Sequence, residues 1–188
     1  MFPNGNLSET PRTILRAGAA PLDQRPAGRF GHGMADDAQT WAPAVNISLL
    51  VRRPALEAWE AFAEPDRIRR FWLARATARL ATGARATWGF KVDGAQTDVE
   101  VIEARPGALL DLRWDGGQPL RITFEDRGAE CVVAVQVTGF DGPTAGADAV
   151  DSMSGFTLVL ASLKMWLEHG IEGDLMYDRF PDAQYADR

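Results

Sequence analysis

Apolar and polar residues alternate in four short runs through the middle of the chain. The runs span residues 86–92, 98–101, 110–114 and 120–125. A period of two places successive side chains on opposite faces of a β-strand, so each run predicts a strand with one apolar and one polar face. Turn-forming pairs that contain glycine separate the runs, at Asp93-Gly94, Pro106-Gly107, Gly116-Gly117 and Arg127-Gly128. The pattern therefore predicts an antiparallel sheet whose apolar face needs a cover.

Strand and helix patterns also precede these runs. Residues 45–51 are rich in β-branched and aliphatic side chains, which predicts a first strand. Pro54 suits a first helical turn, and Trp59 and Phe62 then follow at helical spacing. Pro65 ends this helix and starts a second short one. The sequence thus predicts two short helices between the first strand and the others.

A long amphipathic helix is predicted over residues 152–169, after the last strand. Its apolar face is formed by Met153, Phe156, Leu160, Leu163 and Leu167. Asp151 or Ser152 is expected to cap its start, and Gly170 is expected to end it in the left-handed conformation. The simplest packing of these parts is an α+β fold, in which a curved antiparallel sheet wraps around one long C-terminal helix.

Residues 1–44 differ in composition and are predicted to be a disordered N-terminal tail, followed by one folded domain over residues 45–188. The tail holds five of the eleven prolines, and its apolar residues follow neither helical nor strand spacing. Four arginines and two acidic residues precede Met34. This is compatible with a targeting peptide, although prolines and glycines would break an amphipathic helix there. Met34 is an alternative start of the protein.

Composition and charge exclude several classes of partner. The net charge of −6 and the pI near 5.0 argue against nonspecific binding of nucleic acid, which needs clustered Lys and Arg. No stretch of about 20 apolar residues is present, so no membrane partner is predicted. Cys131 is the only cysteine, so no intrachain disulfide can form and a cytoplasmic setting is expected. We interpret Cys131 as a small buried hydrophobic residue.

The sequence contains no recognisable catalytic or metal-binding pattern. His32 lies in the predicted tail, His169 lies at the predicted end of the long helix, and no Cys/His spacing fits a metal site. Gly-x-Ser-x-Gly and phosphate-loop motifs are missing too. Ser162 lies about two helical turns from His169, which is too far for a direct dyad. We therefore predict no catalytic residues, no metal and no cofactor, and we favour a protein without enzymatic activity.

Aromatic side chains on the segments that converge under the long helix are candidate walls of a ligand pocket. Trp72, Trp88 and Trp114 fit either a packed core or such a wall, since an indole supplies both apolar area and one N–H. Small residues would leave space opposite them, at Ala76, Ala134 and Gly155. The predicted ligand-binding residues are Trp72, Trp88, Phe90, Trp114, Phe124, Phe156, Leu160 and Leu163.

Three further features of the sequence can be interpreted in more than one way. Arginines alternate with apolar residues along the predicted sheet, and they fit either a solvated outer face or, for one of them, an inward anchor for an anionic head group: Arg79, Arg85, Arg113 and Arg121. The loop 140–150 fits a lid over the cavity or a flexible connector. The acidic segment that starts at Ile171 also carries apolar residues, and we expect it to pack back on the domain.

Landmark residues occur in an order that is found in a known family. They are Pro54, Trp59, Glu64-Pro65-Asp66, Phe71-Trp72, Gly83, Trp88, Glu103, Pro106, Leu110, Trp114, Gly155-Phe156, Leu163-Lys164 and Leu167-Glu168-His169-Gly170. In this order they resemble the heat-shock protein 90 ATPase activator-like family of the START-like (SRPBCC) superfamily, over residues 45–181. The resemblance implies a helix-grip fold with a cavity between the long helix and the curved sheet.

The residues and the resemblance leave three functional hypotheses. The first is noncatalytic binding of a small apolar or amphipathic ligand in the cavity. The second, implied by the family alone, is assistance to a chaperone. The predicted tail is too short and too poor in apolar residues to be the chaperone-contacting N-terminal domain of eukaryotic members. The third is a cyclase or dehydratase, which needs an inward-facing titratable group, whereas Asp98, Glu100 and Arg113 are predicted to face away. A monomer or a homodimer is compatible with all three.

Overall fold

The computed structural model describes residues 42–185. Most of the predicted tail, with His32 and Met34, lies outside the described residues. The described elements are β1 (Val45–Val51), α1 (Ala55–Ala63), α2 (Pro65–Ile68), β2 (Arg75–Ala76), β3 (Arg85–Gly89), β4 (Gln96–Arg105), β5 (Leu109–Trp114), β6 (Gln118–Asp126), β7 (Cys131–Val137), α3 (Ala145–His169) and α4 (Leu175–Asp178). The strands form one antiparallel sheet in the order β1-β7-β6-β5-β4-β3-β2. The predicted α+β fold, with two short helices after β1 and a long C-terminal helix, is confirmed.

The sheet has one apolar face, as the alternation predicts. In β6, Leu120, Ile122 and Phe124 are buried, whereas Arg121 and Thr123 between them are exposed. The buried side chains of the other strands lie on the same side of the sheet, because cross-strand partners in an antiparallel register share a face. Helix α3 covers this face and contributes Phe156, Leu160, Leu163 and Leu167 to a single core.

Helix α1 is fixed to the sheet by one aromatic contact and one hydrogen bond. The indole Nε1 of Trp59 donates to the carbonyl oxygen of Leu109 at 3.0 Å in the interior. The ring of Phe62 packs edge-on against Phe124, with 5.9 Å between centroids. Pro54 precedes the helix and Pro65 opens α2, which are the positions where a missing N–H costs least. Trp59 is therefore a core residue that fixes α1 to the start of β5.

Helix α3 begins at Ala145, seven residues before the predicted start. Asp151 and Ser152 therefore lie inside the helix and do not cap it. The helix takes up the second half of the segment 140–150, which corrects its prediction as a continuous loop. Residues 145–151 are mostly alanine and glycine and carry no stripe of large apolar side chains, which is why the periodicity missed this part. Gly170 ends the helix in the left-handed conformation at φ 68°, as expected.

Two predicted strand positions also differ. The run 86–92 continues past the end of β3 at Gly89, because Phe90 enters a tight turn in which its N–H donates to the Ala95 carbonyl oxygen at 2.8 Å. Ala134 is half-buried on β7, whereas its neighbours Val133 and Val135 are buried. It therefore lies on the outer face of the sheet and cannot leave space opposite the tryptophans.

The C-terminal end of α3 is tied to the end of β1 through Glu168. Its Oε1 accepts the Arg52 backbone N–H at 2.7 Å and the Lys164 ammonium at 2.5 Å. Lys164 also donates to the Leu50 carbonyl oxygen at 2.9 Å. Burial alone would raise the pKa of Glu168, but the hydrogen bonds from Arg52 and Lys164 and their positive charges outweigh it and lower the pKa below 4.5. The carboxylate form is therefore favoured in the folded protein.

We expect Glu168→Gln to lower the free energy of unfolding at pH 7 by about 1–2 kcal/mol, because charge-assisted hydrogen bonds are replaced by neutral ones. The folded protein binds the Glu168 proton less tightly than the unfolded chain does. The stabilisation is therefore complete above pH 4.5 and is lost as the pH falls through the lowered pKa. Urea unfolding at several pH values measures this. Glu125→Gln, at an exposed ion pair with Arg127, is the control. A deficit that stays constant down to pH 3 would contradict the account.

Candidate functional site

A cavity of about 110 Å³ lies between the N-terminal half of α3, one end of the sheet and the segment that follows α3. Its apolar lining consists of Trp72, Phe90, Val92, Trp114, Gly155, Phe156, Val159, Met176 and Phe180. Its polar lining consists of Lys91, Gln96, Thr97, Asp115, Ser152 and Arg179. Gln96 and Asp115 are exposed, which places the mouth of the cavity on their side.

Aromatic rings in mutual contact form one wall of this cavity. The centroids of Trp72 and Trp114 each lie 5.5 Å from that of Phe156 and are 6.3 Å from one another. Most of these pairs are edge-to-face, which is the arrangement that aromatic quadrupoles favour. Each ring therefore packs against the other two.

The predicted ligand-binding residues divide into two groups. Trp72, Phe90, Trp114 and Phe156 line the cavity. The other four lie in the surrounding core: Trp88, Phe124, Leu160 and Leu163. Trp88 stands behind the wall, 4.9 Å from Trp72. Phe124 packs on α1, and Leu160 and Leu163 are at most 1% exposed. These four residues do not line the cavity.

Arg179 is one of the cavity residues that sequence reasoning missed, as are Lys91, Val92, Gln96, Thr97, Asp115, Ser152, Val159, Met176 and Phe180. It follows α4, and its side chain is 8% exposed. Its Nη2 donates to the carboxylate Oδ1 of Asp151 at 2.7 Å and to the backbone carbonyl of Asp151 at 2.9 Å. The guanidinium lies so close to Gly155 that a Cβ there would overlap with Nη1. Gly155 therefore makes room for an arginine that lies 24 residues further along the chain.

The segment after α3 forms the opposite side of the cavity. Met176 and Phe180 line it. The hydroxyl of Tyr185 donates to the carbonyl oxygen of Tyr177 at 2.6 Å, and a β-bridge joins Tyr185 to Val92. The expectation that this segment packs back on the domain agrees with these contacts. Its apolar residues are used to enclose the cavity.

Three hydrogen-bonding atoms around the cavity are buried without a partner among residues 42–185. They are Trp114 Nε1, Ser152 Oγ and Arg179 Nη1. Asp151 Oδ2, beside Arg179, is also buried without a hydrogen-bond partner among these residues. Burial is the largest influence on Asp151 and raises its pKa, and the adjacent Arg179 guanidinium partly offsets this. The polar side of the cavity is therefore desolvated and incompletely hydrogen-bonded.

The remaining candidate groups lie away from the cavity. Burial raises the pKa of the Cys131 thiol to about 11, so it is protonated at neutral pH and unsuited to be a nucleophile. Three arginines on the sheet are exposed or half-exposed and form ion pairs with acidic residues: Arg85, Arg113 and Arg121. Arg79 lies between β2 and β3, is exposed and pairs with Glu64. The three sheet arginines belong to the solvated face, and none of the four lines the cavity. Within residues 42–185, no cluster of three potential metal ligands occurs, and no helix has the length and hydrophobicity that crossing a bilayer requires.

Comparison with known proteins identifies the family. The family described as activator of Hsp90 ATPase homolog 1-like protein matches residues 52–168. The chain belongs to this family. The matched range runs from the residue after β1 to the end of α3 and so includes most of the cavity wall, whereas Arg179 lies beyond it. The resemblance that was drawn from the landmark residues is thereby confirmed. A search of curated proteins gives no match.

Several solved structures share the fold of this protein. The protein SSP2350 from Staphylococcus saprophyticus is 26% identical with a TM-score of 0.62, and the alignment covers 68% of this chain and 93% of that one. DynU16, a protein in the dynemicin biosynthetic locus, is 25% identical with a TM-score of 0.62, over 68% of this chain and 48% of DynU16. The Aha1 dimer from Colwellia psychrerythraea is 17% identical with a TM-score of 0.59, over 68% and 97%, which shows the fold alone.

We expect Gly155→Ala to destabilise the protein by about 1–3 kcal/mol, because the added methyl group displaces the Arg179 guanidinium and separates it from Asp151. Gly146→Ala is the matched control in the same helix, since nothing lies within 4 Å of the added carbon. It should leave stability unchanged or slightly raised. Thermal unfolding measures both variants, and limited proteolysis reports whether the segment 171–185 is released. Equal melting temperatures for the two variants would refute the packing argument.

Proposed function

We propose that this protein binds a small, mainly apolar ligand in the cavity beneath α3, without chemical change to the ligand. The observation that carries the proposal is the aromatic wall of Trp72, Trp114 and Phe156, three otherwise buried rings that line a cavity of about 110 Å³. Ligand pockets are typically concave and apolar with a few polar groups that fix orientation. This cavity has that composition.

The size of the cavity limits the ligand. A volume of about 110 Å³ is far above the roughly 10–15 Å³ that a single water needs. It is suited to one aromatic ring or a short aliphatic group, so a larger ligand would extend through the mouth beside Gln96 and Asp115. An amphipathic molecule with a compact buried end fits this shape. The presence of DynU16 in a biosynthetic locus agrees with a small-molecule ligand for this fold.

The polar groups of the cavity favour binding over catalysis. Ser152 is buried, and its hydroxyl has no hydrogen-bond partner among the described residues, so no base activates it as a nucleophile. The Arg179 guanidinium is held by Asp151. A cyclase or dehydratase mechanism would need a group that exchanges protons near neutral pH at the reacting atoms. These residues orient a ligand and do not supply such a group.

Chaperone assistance is the second candidate, and the family description is the observation that favours it. It predicts that the purified chain stimulates the ATPase turnover of Hsp90. The ligand-binding proposal does not require any effect on the ATPase turnover of Hsp90. The two candidates are therefore separable by measuring ATPase stimulation with the wild-type protein and with a variant whose cavity has been filled.

We expect tryptophan fluorescence to change when single-ring aromatic compounds or short fatty acids are titrated, because Trp72 and Trp114 line the cavity. Bound compounds should also raise the melting temperature by mass action. Val159→Phe places a ring in the cavity and should weaken binding at least about tenfold while the protein stays folded.

Leu110→Met is the control for this experiment, since Leu110 is fully buried outside the cavity and the exchange conserves volume. It should bind as the wild type does. No response from the wild-type protein across a broad panel would sink the proposal. So would a Val159→Phe variant with unchanged affinity.

A further inference from the structure

We propose that the ligand carries an oxygen hydrogen-bond acceptor, a carbonyl or a carboxylate, and that Trp114 and Arg179 bind it through N–H groups with Ser152 beside them. This inference rests on the proposed function and specifies the ligand class for the same cavity. It follows from the buried hydrogen-bonding atoms that have no partner within residues 42–185.

Unmade hydrogen bonds are concentrated at the cavity. Within residues 42–185, five buried side-chain atoms lack a partner, and three of them belong to residues that line the cavity. Buried polar groups in native proteins are nearly always paired, and leaving one unpaired costs about 1–3 kcal/mol. A coincidence of three at one cavity indicates that a bound molecule completes them.

The chemistry of the unpaired atoms determines what completes them. The indole N–H of Trp114 and the guanidinium N–H groups of Arg179 can only donate. The Ser152 hydroxyl can donate or accept, so it is compatible with the same partner. The ligand must therefore present an acceptor. A carbonyl oxygen has two lone pairs and a carboxylate has about four acceptor sites, so either can accept from two donors at once.

The fold gathers these groups around one stretch of α3. Ser152, Gly155 and Phe156 follow one another at helical i, i+3 and i+4 spacing, so they share the face that lines the cavity. The Trp114 ring lies 5.5 Å from the Phe156 ring. The Arg179 Nη1 lies against Gly155, where a side chain would exclude it. Glycine at this position leaves room for the guanidinium beside the helix.

The charge of the site admits both forms of the acceptor. Arg179 is already paired with Asp151, so the pair is close to neutral and accepts an uncharged carbonyl without further compensation. A carboxylate would gain a charge-assisted hydrogen bond from the same guanidinium, and Lys91 also lines the cavity. The experiment therefore contains one probe of each kind.

The first test compares three single-ring probes of similar size: ethylbenzene, acetophenone and benzoate. We expect acetophenone or benzoate to bind the wild-type protein at least about fivefold more tightly than ethylbenzene, as one net hydrogen bond provides. The probe that binds more tightly identifies the neutral or the ionised acceptor. The Trp114 indole N–H resonance in ¹H–¹⁵N spectra should move downfield with the acceptor probe and not with ethylbenzene.

The second test removes the Trp114 and Ser152 donors one at a time and leaves Arg179 in place. Trp114→Phe keeps a ring but deletes the N–H, so the preference for the acceptor probe should fall at least about twofold and stay above one because Arg179 still donates, while ethylbenzene affinity changes by at most about twofold. Ser152→Ala should reduce the preference. Ser162→Ala is the matched control, because Ser162 is also a buried, unpartnered serine of α3 within the described residues but lies outside the cavity. It should leave the preference unchanged.

The outcomes separate this inference from the function on which it rests. Equal affinity of the wild type for all three probes would overturn the acceptor assignment and leave apolar ligand binding standing. Failure of every probe to bind would overturn both. If Trp114→Phe does not fold, the wild-type preference and the Trp114 resonance still decide. An equal loss of preference in Ser152→Ala and Ser162→Ala would also count against the assignment.

Discussion

The whole structure depends on covering one apolar face of an antiparallel sheet. The alternation in β3 to β7 places large side chains such as Leu112, Ile122 and Val135 on a single side, and these must leave water. Helix α3 is the one described element long enough to span that face. Every other helix serves this arrangement: α1 packs against β6 and β7, and α4 closes the open end of the space beneath α3. Fold and cavity therefore have the same physical origin.

The two halves of α3 meet the sheet differently. The C-terminal half presents Leu160, Leu163 and Leu167, which fill the space completely. The N-terminal half presents Ser152 and Gly155, whose side chains are small, and the Arg179 guanidinium packs against Gly155. The cavity lies at this end of α3. The position of the cavity thus follows the order of large and small residues along one face of α3.

Local patterns explain which parts of the structure could be predicted from the sequence. The period of two placed the strands, and the leucine spacing placed the C-terminal half of α3, since both signals lie within a few neighbouring residues. The start of α3 at Ala145 was missed because its first two turns carry no apolar stripe. Trp72, Trp114 and Phe156 were predicted as pocket walls from their size and type. Which aromatic residues face the cavity and which stand behind it depends on packing that no single segment encodes.

Arg179 shows the limit of such reasoning most clearly. Its partner Asp151 lies 28 residues earlier, on a different helix. Nothing in the sequence around either residue marks the pair, and Gly155 looks like an ordinary small residue of an amphipathic helix. Structures of the same fold at 17–26% identity share the scaffold, whereas a site such as this depends on individual side chains. Family membership therefore predicts the scaffold better than it predicts the polar groups that line this cavity.

One side of the cavity is supplied by a short segment that the sheet and α3 do not need for their own packing. The hydrogen bonds of Tyr185 and the pair between Arg179 and Asp151 attach it at a few points. Substitution of its cavity-lining apolar residues, such as Met176 and Phe180, can reshape the cavity without breaking the pair between Arg179 and Asp151. The cavity lining could therefore diverge by exchange of the residues behind the long helix, much as loops diversify recognition on other rigid frameworks.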